Sequence, residues 1–355
     1  MKRMMGTFLI LVVTLSAHGE IKFLRGPLSE AIKRSDSEKK PVMIDFITDW
    51  CRWCDTLDAR TYSDPEVGGY VSTHVVPIKI DAEKGEGIEI AKKYGVSAYP
   101  TIVFIRSNGE EIDRILGYVK AEPFLKTVTD YVNGRNTLST MLADLGSKPN
   151  DPALRYAIAT KYMERNDSRA AIEHFKKLIE LDPQNTLGHG EEAEYSVAVA
   201  TFKESKDPQQ LEGFTTKYPQ SARVQSALRT LWRSYIKSKD GDNARKYFTQ
   251  YIEKNPADAG MMNDYAWDCA GNVVNLSHAA EVVKKAIDLT QKDDEKASYI
   301  DTYAAVEFAR GNTDQAITLE QQALDIVKTV PGANPKEYEK AMEKFKAGKK
   351  ARGTQ

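Results

Sequence analysis

Pro41-Val-Met-Ile-Asp-Phe-Ile47, an apolar run with one charge in it, is followed two residues later by Trp50-Cys51-Arg52-Trp53-Cys54. The run reads as a buried strand, and the C-x-x-C pair after it reads as the start of a helix. Two thiols so placed can close into a disulfide and reopen. Unpaired backbone N–H groups and the helix dipole favour a thiolate at the first of them. Cys51, at the mouth of the helix, is therefore the expected attacking thiolate, and Cys54, one turn in and more covered, the thiol that resolves the mixed disulfide. Half of a zinc site has the same spacing, but it lacks partners here. The only other cysteine is Cys269, far along the chain, and no His pair stands at ligand spacing.

The residues around the pair carry a resemblance. Asp45 through Cys54, then Lys79-Ile-Asp81, Tyr94-Gly-Val-Ser-Ala-Tyr-Pro-Thr101, Gly109 and Gly117-Tyr118 resemble the thioredoxin superfamily, in order, from about Leu28 to Val132. The closest subgroup is that of exported thioredoxin-like proteins reading Asp-Trp-Cys-x-x-Cys followed by Ser-Asp-Pro-Glu-Val, here Ser63 to Val67. Similar domains deliver electrons in the bacterial periplasm, as in the soluble C-terminal part of DsbD. The resemblance implies a role for Asp45 as a buried carboxylate behind the disulfide. Its pKa would be raised, so that it could relay a proton to or from Cys54. The alternative for Asp45 is an edge position facing water. Lys79 matches the usual charge partner of that acid, and Pro100 the family's cis-proline, which would set the Tyr99 backbone beside Cys51 to pair with an extended substrate.

The chain also departs from the general thioredoxin pattern. Arg52-Trp53 stands where those proteins have Gly-Pro, and Asp55 where they often have Lys. Arg52 favours the thiolate and Asp55 opposes it, so the direction of electron flow stays open. Trp50 and Trp53 present large flat surfaces suited to docking on apolar thiol partners, and Trp50 also suits packing over the helix start.

Met1-Lys2-Arg3, an apolar stretch from Thr7 to Leu15 and the small-residue site Ala17-His18-Gly19 read as a secretory signal peptide over residues 1–19. The apolar stretch is short for a permanent span, with an uncleaved anchor as the alternative. An exported, periplasmic protein is expected. Three cysteines, two of them in the motif, leave no structural disulfide framework. Cys269, within Tyr265-Ala-Trp-Asp-Cys-Ala270, reads as a buried inert thiol; a second redox contact is its sharper alternative.

The 355 residues, 41% hydrophobic and 28% charged, suffice for an α/β core plus a second unit. A formal net charge of −1 gives no basic footprint for nucleic acid. Nucleotide loop, dinucleotide fingerprint, flavin site and metal site are all missing from the pattern. No cofactor beyond the Cys51–Cys54 pair is expected, and electrons must come from another protein, with a membrane electron donor as the candidate.

Residues 20–134 read as the thioredoxin-like domain. Its elements are a helix over Leu28 to Glu38, a strand over Val42 to Ile47 and a helix over Cys51 to Arg60. A strand over Val75 to Ile80 and a helix over Ile88 to Tyr94 follow. A hairpin of Thr101 to Arg106 and Glu111 to Leu116 turns at Ser107-Asn-Gly109, and a helix over Glu122 to Val132 closes the domain. Residues 135–151 read as a linker with a short helix over Leu138 to Leu145. Beyond it, Tyr162, Ala171, Phe175 and Pro183 recur 73 residues later as Tyr235, Ala244, Phe248 and Pro256, and Ala279 and Ala286 recur as Ala316 and Ala323. The stretch 152–330 resembles tetratricopeptide (TPR) repeats, in five units starting at Pro152, Gly188, Gln225, Gly260 and Ala297. Residues 331–355 hold a capping helix, with Tyr338, Met342 and Phe345 on one face, and a tail.

The fold class expected is thus an α/β thioredoxin fold followed by an all-α TPR-like helical-repeat solenoid. The function expected is that of an exported thiol-disulfide oxidoreductase, a reductase or electron carrier acting on protein thiols and disulfides, whose repeats recruit a protein partner. The competing readings are an oxidase or isomerase of folding proteins, and a non-enzymatic TPR adaptor. The repeats could also serve only to self-associate or to brace the first domain.

Overall fold

The computed structural model of the protein describes residues 19–353. The leader read over residues 1–19 lies, all but Gly19, outside the described residues. Among those described, no helix is long and apolar enough to cross a membrane.

The apolar run becomes β1 (Val42–Ile47), and its five apolar residues around the single Asp45 fit its place at the centre of a four-stranded sheet ordered β2-β1-β3-β4. β2 (Val76–Asp81) lies parallel to it, and β3 (Thr101–Ile105) and β4 (Glu111–Leu116) complete the sheet as an antiparallel hairpin. Gly109 adopts the left-handed conformation that the hairpin turn requires. Val42, Ile44 and Phe46 pack with α1 (Leu28–Glu38) and α4 (Gly87–Lys93) on one face of the sheet. Met43 points the other way, into a core with Leu57, Tyr62, Phe104 and α5 (Ala121–Val132). The two-residue period of a strand puts Asp45 on that second face, beneath the cysteine helix.

Two elements differ from the sequence reading. The single helix expected over Cys51 to Arg60 is α-helical only as α2 (Arg52–Leu57), then widens into a π-helical turn over Asp58–Tyr62 that turns Thr61 and Tyr62 inward. Between Tyr62 and β2 the sequence reading had no element, yet α3 (Pro65–His74) stands there. Its start is well marked: Asp64 accepts from the backbone N–H groups of Glu66 and Val67 at 2.9 and 3.1 Å, and Pro65 takes the first helical position.

After the sheet come α6 (Leu138–Ser147), α7 (Pro152–Glu164) and α8 (Ser168–Leu181), the last two an antiparallel hairpin capped by Asp151 and Asp167. The chain forms two compact units that divide at Val197 and Ala198, within α9 (Gly190–Ser205). The second unit holds α10 (Gln209–Lys217), α11 (Val224–Lys237), α12 (Gly241–Lys254), α13 (Ala259–Asn272) and α14 (Leu276–Leu289). It ends with α15 (Asp293–Ala309), α16 (Thr313–Val327) and α17 (Lys336–Gly353). The recurring alanines and aromatics sit where paired helices touch: Ala171, Phe175, Ala244, Phe248, Ala279, Ala286, Ala316 and Ala323 are all buried. Phe248 stacks on Tyr265 of the next hairpin at 3.8 Å between ring centres. Met342 and Phe345 of α17 are buried, Phe345 against Phe308, as a terminal cap requires. A thioredoxin fold followed by an all-α, TPR-like array of helical hairpins is the architecture of this chain.

Candidate active site

Cys51 and Cys54 form a disulfide at the N-terminus of α2, each only 5% exposed. Cys51 is the N-cap residue, and the backbone N–H of Cys54 points at its Sγ from 3.1 Å. When the disulfide is open, the same N–H and the free helix end stabilise a thiolate on Cys51. Arg52 and Asp55 are both exposed, so solvent screens their opposed charges.

Behind the pair lies Asp45, 1% exposed, with no hydrogen-bonding partner on either carboxylate oxygen. Burial pushes its pKa up to about 7; Lys79 opposes the rise and the nearby Asp58 carboxylate adds to it. The edge-strand alternative for Asp45 is excluded, since β1 has neighbours on both sides. Lys79 sits directly across from Asp45 in the β1–β2 register, with its Nζ 3.7 Å from the carboxylate. Its closer partner is Asp58, which binds it with both oxygens, so Lys79 is shared between two acids. The sequence reading missed Asp58 because its placement depends on the π-helical turn, which no residue pattern announces. The hydroxyls of Tyr62 and Thr48 are likewise buried and unpartnered. Tyr62, in the field of Asp45, has its pKa held well above the usual phenol range, mainly by burial.

The outer face of the site is aromatic. Trp50 and Trp53, 66% and 60% exposed, flank the cysteines. Trp50 is held by a hydrogen bond from its indole N–H to Glu83 (3.0 Å) and by edge contact with Tyr99, 5.8 Å between centres. Trp53 lies nearly parallel to Tyr118, also at 5.8 Å. Glu83 and Tyr118 were given no role from sequence, although Tyr118 stands in the Gly117-Tyr118 landmark and Glu83 two residues after Asp81. The Tyr99–Pro100 bond is cis, and the Thr101 hydroxyl closes the turn on the Ala98 carbonyl at 2.7 Å. The structure therefore gathers Asp45, Trp50, Cys51, Trp53, Cys54, Lys79, Tyr99 and Pro100 around the same end of the sheet.

Cys269 is wholly buried in α13, and burial pushes its thiol up to about 12. It is a packed thiol rather than a poised nucleophile. No group of three or more His, Cys, Asp or Glu side chains arranged to hold a metal occurs among the described residues.

Residues 28–131 match a protein-family profile described as a thioredoxin-like domain. The thiol:disulfide interchange protein DsbD of Neisseria meningitidis serogroup A is 32% identical over 116 residues, which are 31% of this chain and 19% of that protein. DsbD of Pectobacterium atrosepticum is 35% identical over 100 residues, 27% of this chain and 17% of the relative. The chain thus spans about a fifth of the length of these curated relatives. Among solved structures, the reduced C-terminal domain of Neisseria meningitidis DsbD is 33% identical and aligns over 30% of this chain and 94% of its own, with a TM-score of 0.27. With the strand order, the C-x-x-C helix start and the buried acid in place, the segment 28–131 belongs to the thioredoxin-like family of disulfide oxidoreductase domains.

Proposed function

We propose that the protein is an exported protein-disulfide reductase or electron carrier. The observation that carries this reading is the Cys51–Cys54 disulfide at a helix mouth, above an acid whose pKa burial lifts to about 7, so that it can both take and give a proton near neutral pH. In the reduced state the Cys51 thiolate attacks a substrate disulfide, forming a mixed disulfide and releasing one substrate thiolate, which takes up a proton. Cys54 then attacks Cys51 Sγ, its proton passing to ionised Asp45, and the second substrate thiol leaves with a proton from solvent or from Asp45. The substrate has gained two electrons, and the protein ends as the disulfide. Lys79 and Asp58 bias the charge on Asp45, while Tyr99-Pro100 and the two tryptophans hold the substrate chain. A second protein, such as a membrane electron donor, returns two electrons to the pair, and no other cofactor is involved.

The leader read over residues 1–19 supports a periplasmic location, where such a cycle has oxidised substrates. The helical hairpins recruit a protein partner and raise its effective concentration near Cys51.

The test is the reduction potential of the pair, measured by equilibrating the protein in dithiol buffers and reading alkylation. A value near about −270 mV supports the reductase. A value near about −120 mV turns the reading to an oxidase, and the absence of a reversible couple leaves the helical hairpins as the function. A Cys54→Ser variant should accumulate mixed disulfides with clients, and Cys51→Ser should capture none.

A further inference from the structure

The turn between α7 and α8 touches the loop that flanks the disulfide. Residues 95–100 join α4 to β3 and bring Tyr99 against Trp50, the neighbour of Cys51. Within the loop, Val96 is tied back to the Ala91 carbonyl and Ala98 to the Thr101 hydroxyl, while Ser97 projects outward. Asn166 meets it from outside. The Asn166 side-chain amide donates to Ser97 Oγ at 2.6 Å and to the Gly95 carbonyl at 3.3 Å.

Charge fixes the place of that turn. Lys161 of α7 and Arg165, the residue that caps its C-terminus one turn on, converge on the wholly buried Asp113 of β4 at 3.0 and 2.9 Å. Arg165 also reaches Glu111 at 2.9 Å, Lys161 reaches the Tyr131 hydroxyl, and the Leu138 N–H at the start of α6 caps the other Asp113 oxygen at 2.7 Å. Removing any one partner leaves a charge in a desolvated place, so α7 is held firmly on β4. Asn166 follows Arg165 directly, in a left-handed conformation that asparagine tolerates.

We propose that Asn166 is a positioning residue for disulfide substrates: braced by Asp113, Lys161 and Arg165, it holds loop 95–100 in the shape that receives a substrate chain beside Cys51. This rests on the reductase reading above and adds a role for the first helical hairpin in substrate binding. The residue touches neither sulfur, so it acts on substrate affinity and leaves the redox couple alone.

The test uses the full chain with Asn166→Gly, which keeps the left-handed backbone and removes both hydrogen bonds. Ser97→Ala, which removes the acceptor of the shorter bond and leaves Asn166 in place, is the second variant. With insulin as the disulfide substrate and dithiothreitol as reductant, both should raise KM about three-fold, the worth of one modest hydrogen bond, with kcat and the Cys51–Cys54 potential at the parent's values. Amide hydrogen exchange should quicken about three-fold at residues 96–99 and stay unchanged at Arg114 beside Asp113. Unchanged KM overturns the substrate role, and unchanged exchange overturns the positioning. A parent chain that does not reduce insulin defeats the reductase reading instead, and exchange at 96–99 then decides by itself whether Asn166 orders the loop.

Discussion

A carboxylate with no hydrogen-bonding partner inside a sheet is tolerated best when it keeps its proton, and Asp45 is such a group. Its folded pKa stands at about 7 against an ordinary 3.8. Below about pH 4 the folded and unfolded chains both hold the proton, so nothing is lost. Between there and pH 7 only the unfolded chain releases it, so stability falls as pH rises through this window, and the full penalty persists above it. At 1.36 kcal/mol per pH unit the ceiling is on the order of 4 kcal/mol. Asp45→Asn should therefore match the parent in urea unfolding at pH 4 and exceed it by about 2–4 kcal/mol at pH 8. An equal gap at both pH values would mean that the acid is not desolvated. The same variant should still form the mixed disulfide at Cys51 but release substrate more slowly, because Cys54 has lost its proton acceptor. At this scale the sequence disclosed Cys51, Cys54 and Asp45, each tied to a strand or helix start that a short pattern marks. It did not disclose Asp58, whose approach to Lys79 is a product of the turn between α2 and α3.

Secondary elements were readable where apolar periodicity and turn chemistry agreed, as in β1 and in the hairpin around Gly109. α3 escaped because two of its ten residues are glycines, which lower helix propensity, although Asp64 and Pro65 marked its start plainly. Asp113 gave no sign either. In Glu111–Leu116 it reads as one of three polar residues of a hairpin strand, and only the later arrival of Lys161 and Arg165 makes it a buried hub. Asp113→Ala should take the nearest counter-charge from Lys161, leave Arg165 with Glu111 alone, and remove the cap from α6. The expected loss is about 3–5 kcal/mol in chemical denaturation. A loss below about 1 kcal/mol would mean that apolar contacts, not charge, hold α7 on the sheet. The helix around Cys269 makes its own prediction. Iodoacetamide should label the folded, reduced protein at Cys51 and leave Cys269 untouched until the chain is unfolded, since that thiol is buried and its pKa is about 12. Labelling of Cys269 in the folded state would show that α13 opens.

For the molecule as a whole, composition shifts between Asn133 and Asp151 suggest a boundary there, but the compact units divide later, at Val197 and Ala198. The charge cluster ties the first helices beyond that boundary to the sheet: α7 is held on β4 through Asp113, and a hydrophobicity or repeat pattern does not register ion pairs made across some fifty residues of chain. This decides how recruitment by the helical hairpins has to be tested. A chain ended at Asp151 loses Lys161, Arg165 and Asn166 together, so it would uncover Asp113 and free loop 95–100. A failure to bind clients would then say nothing about recruitment. A chain ended at Ser205 keeps all three contacts. It should hold the parent's reduction potential and its KM for insulin, a substrate that needs only the redox site. In a Cys54→Ser background it should nevertheless trap fewer native clients than the full chain, by about ten-fold or more if tethering supplies the effective concentration. Equal trapping by the shortened and full chains would remove recruitment from the second unit and leave the first hairpin, through Asn166, as the part of the helical array that serves the disulfide.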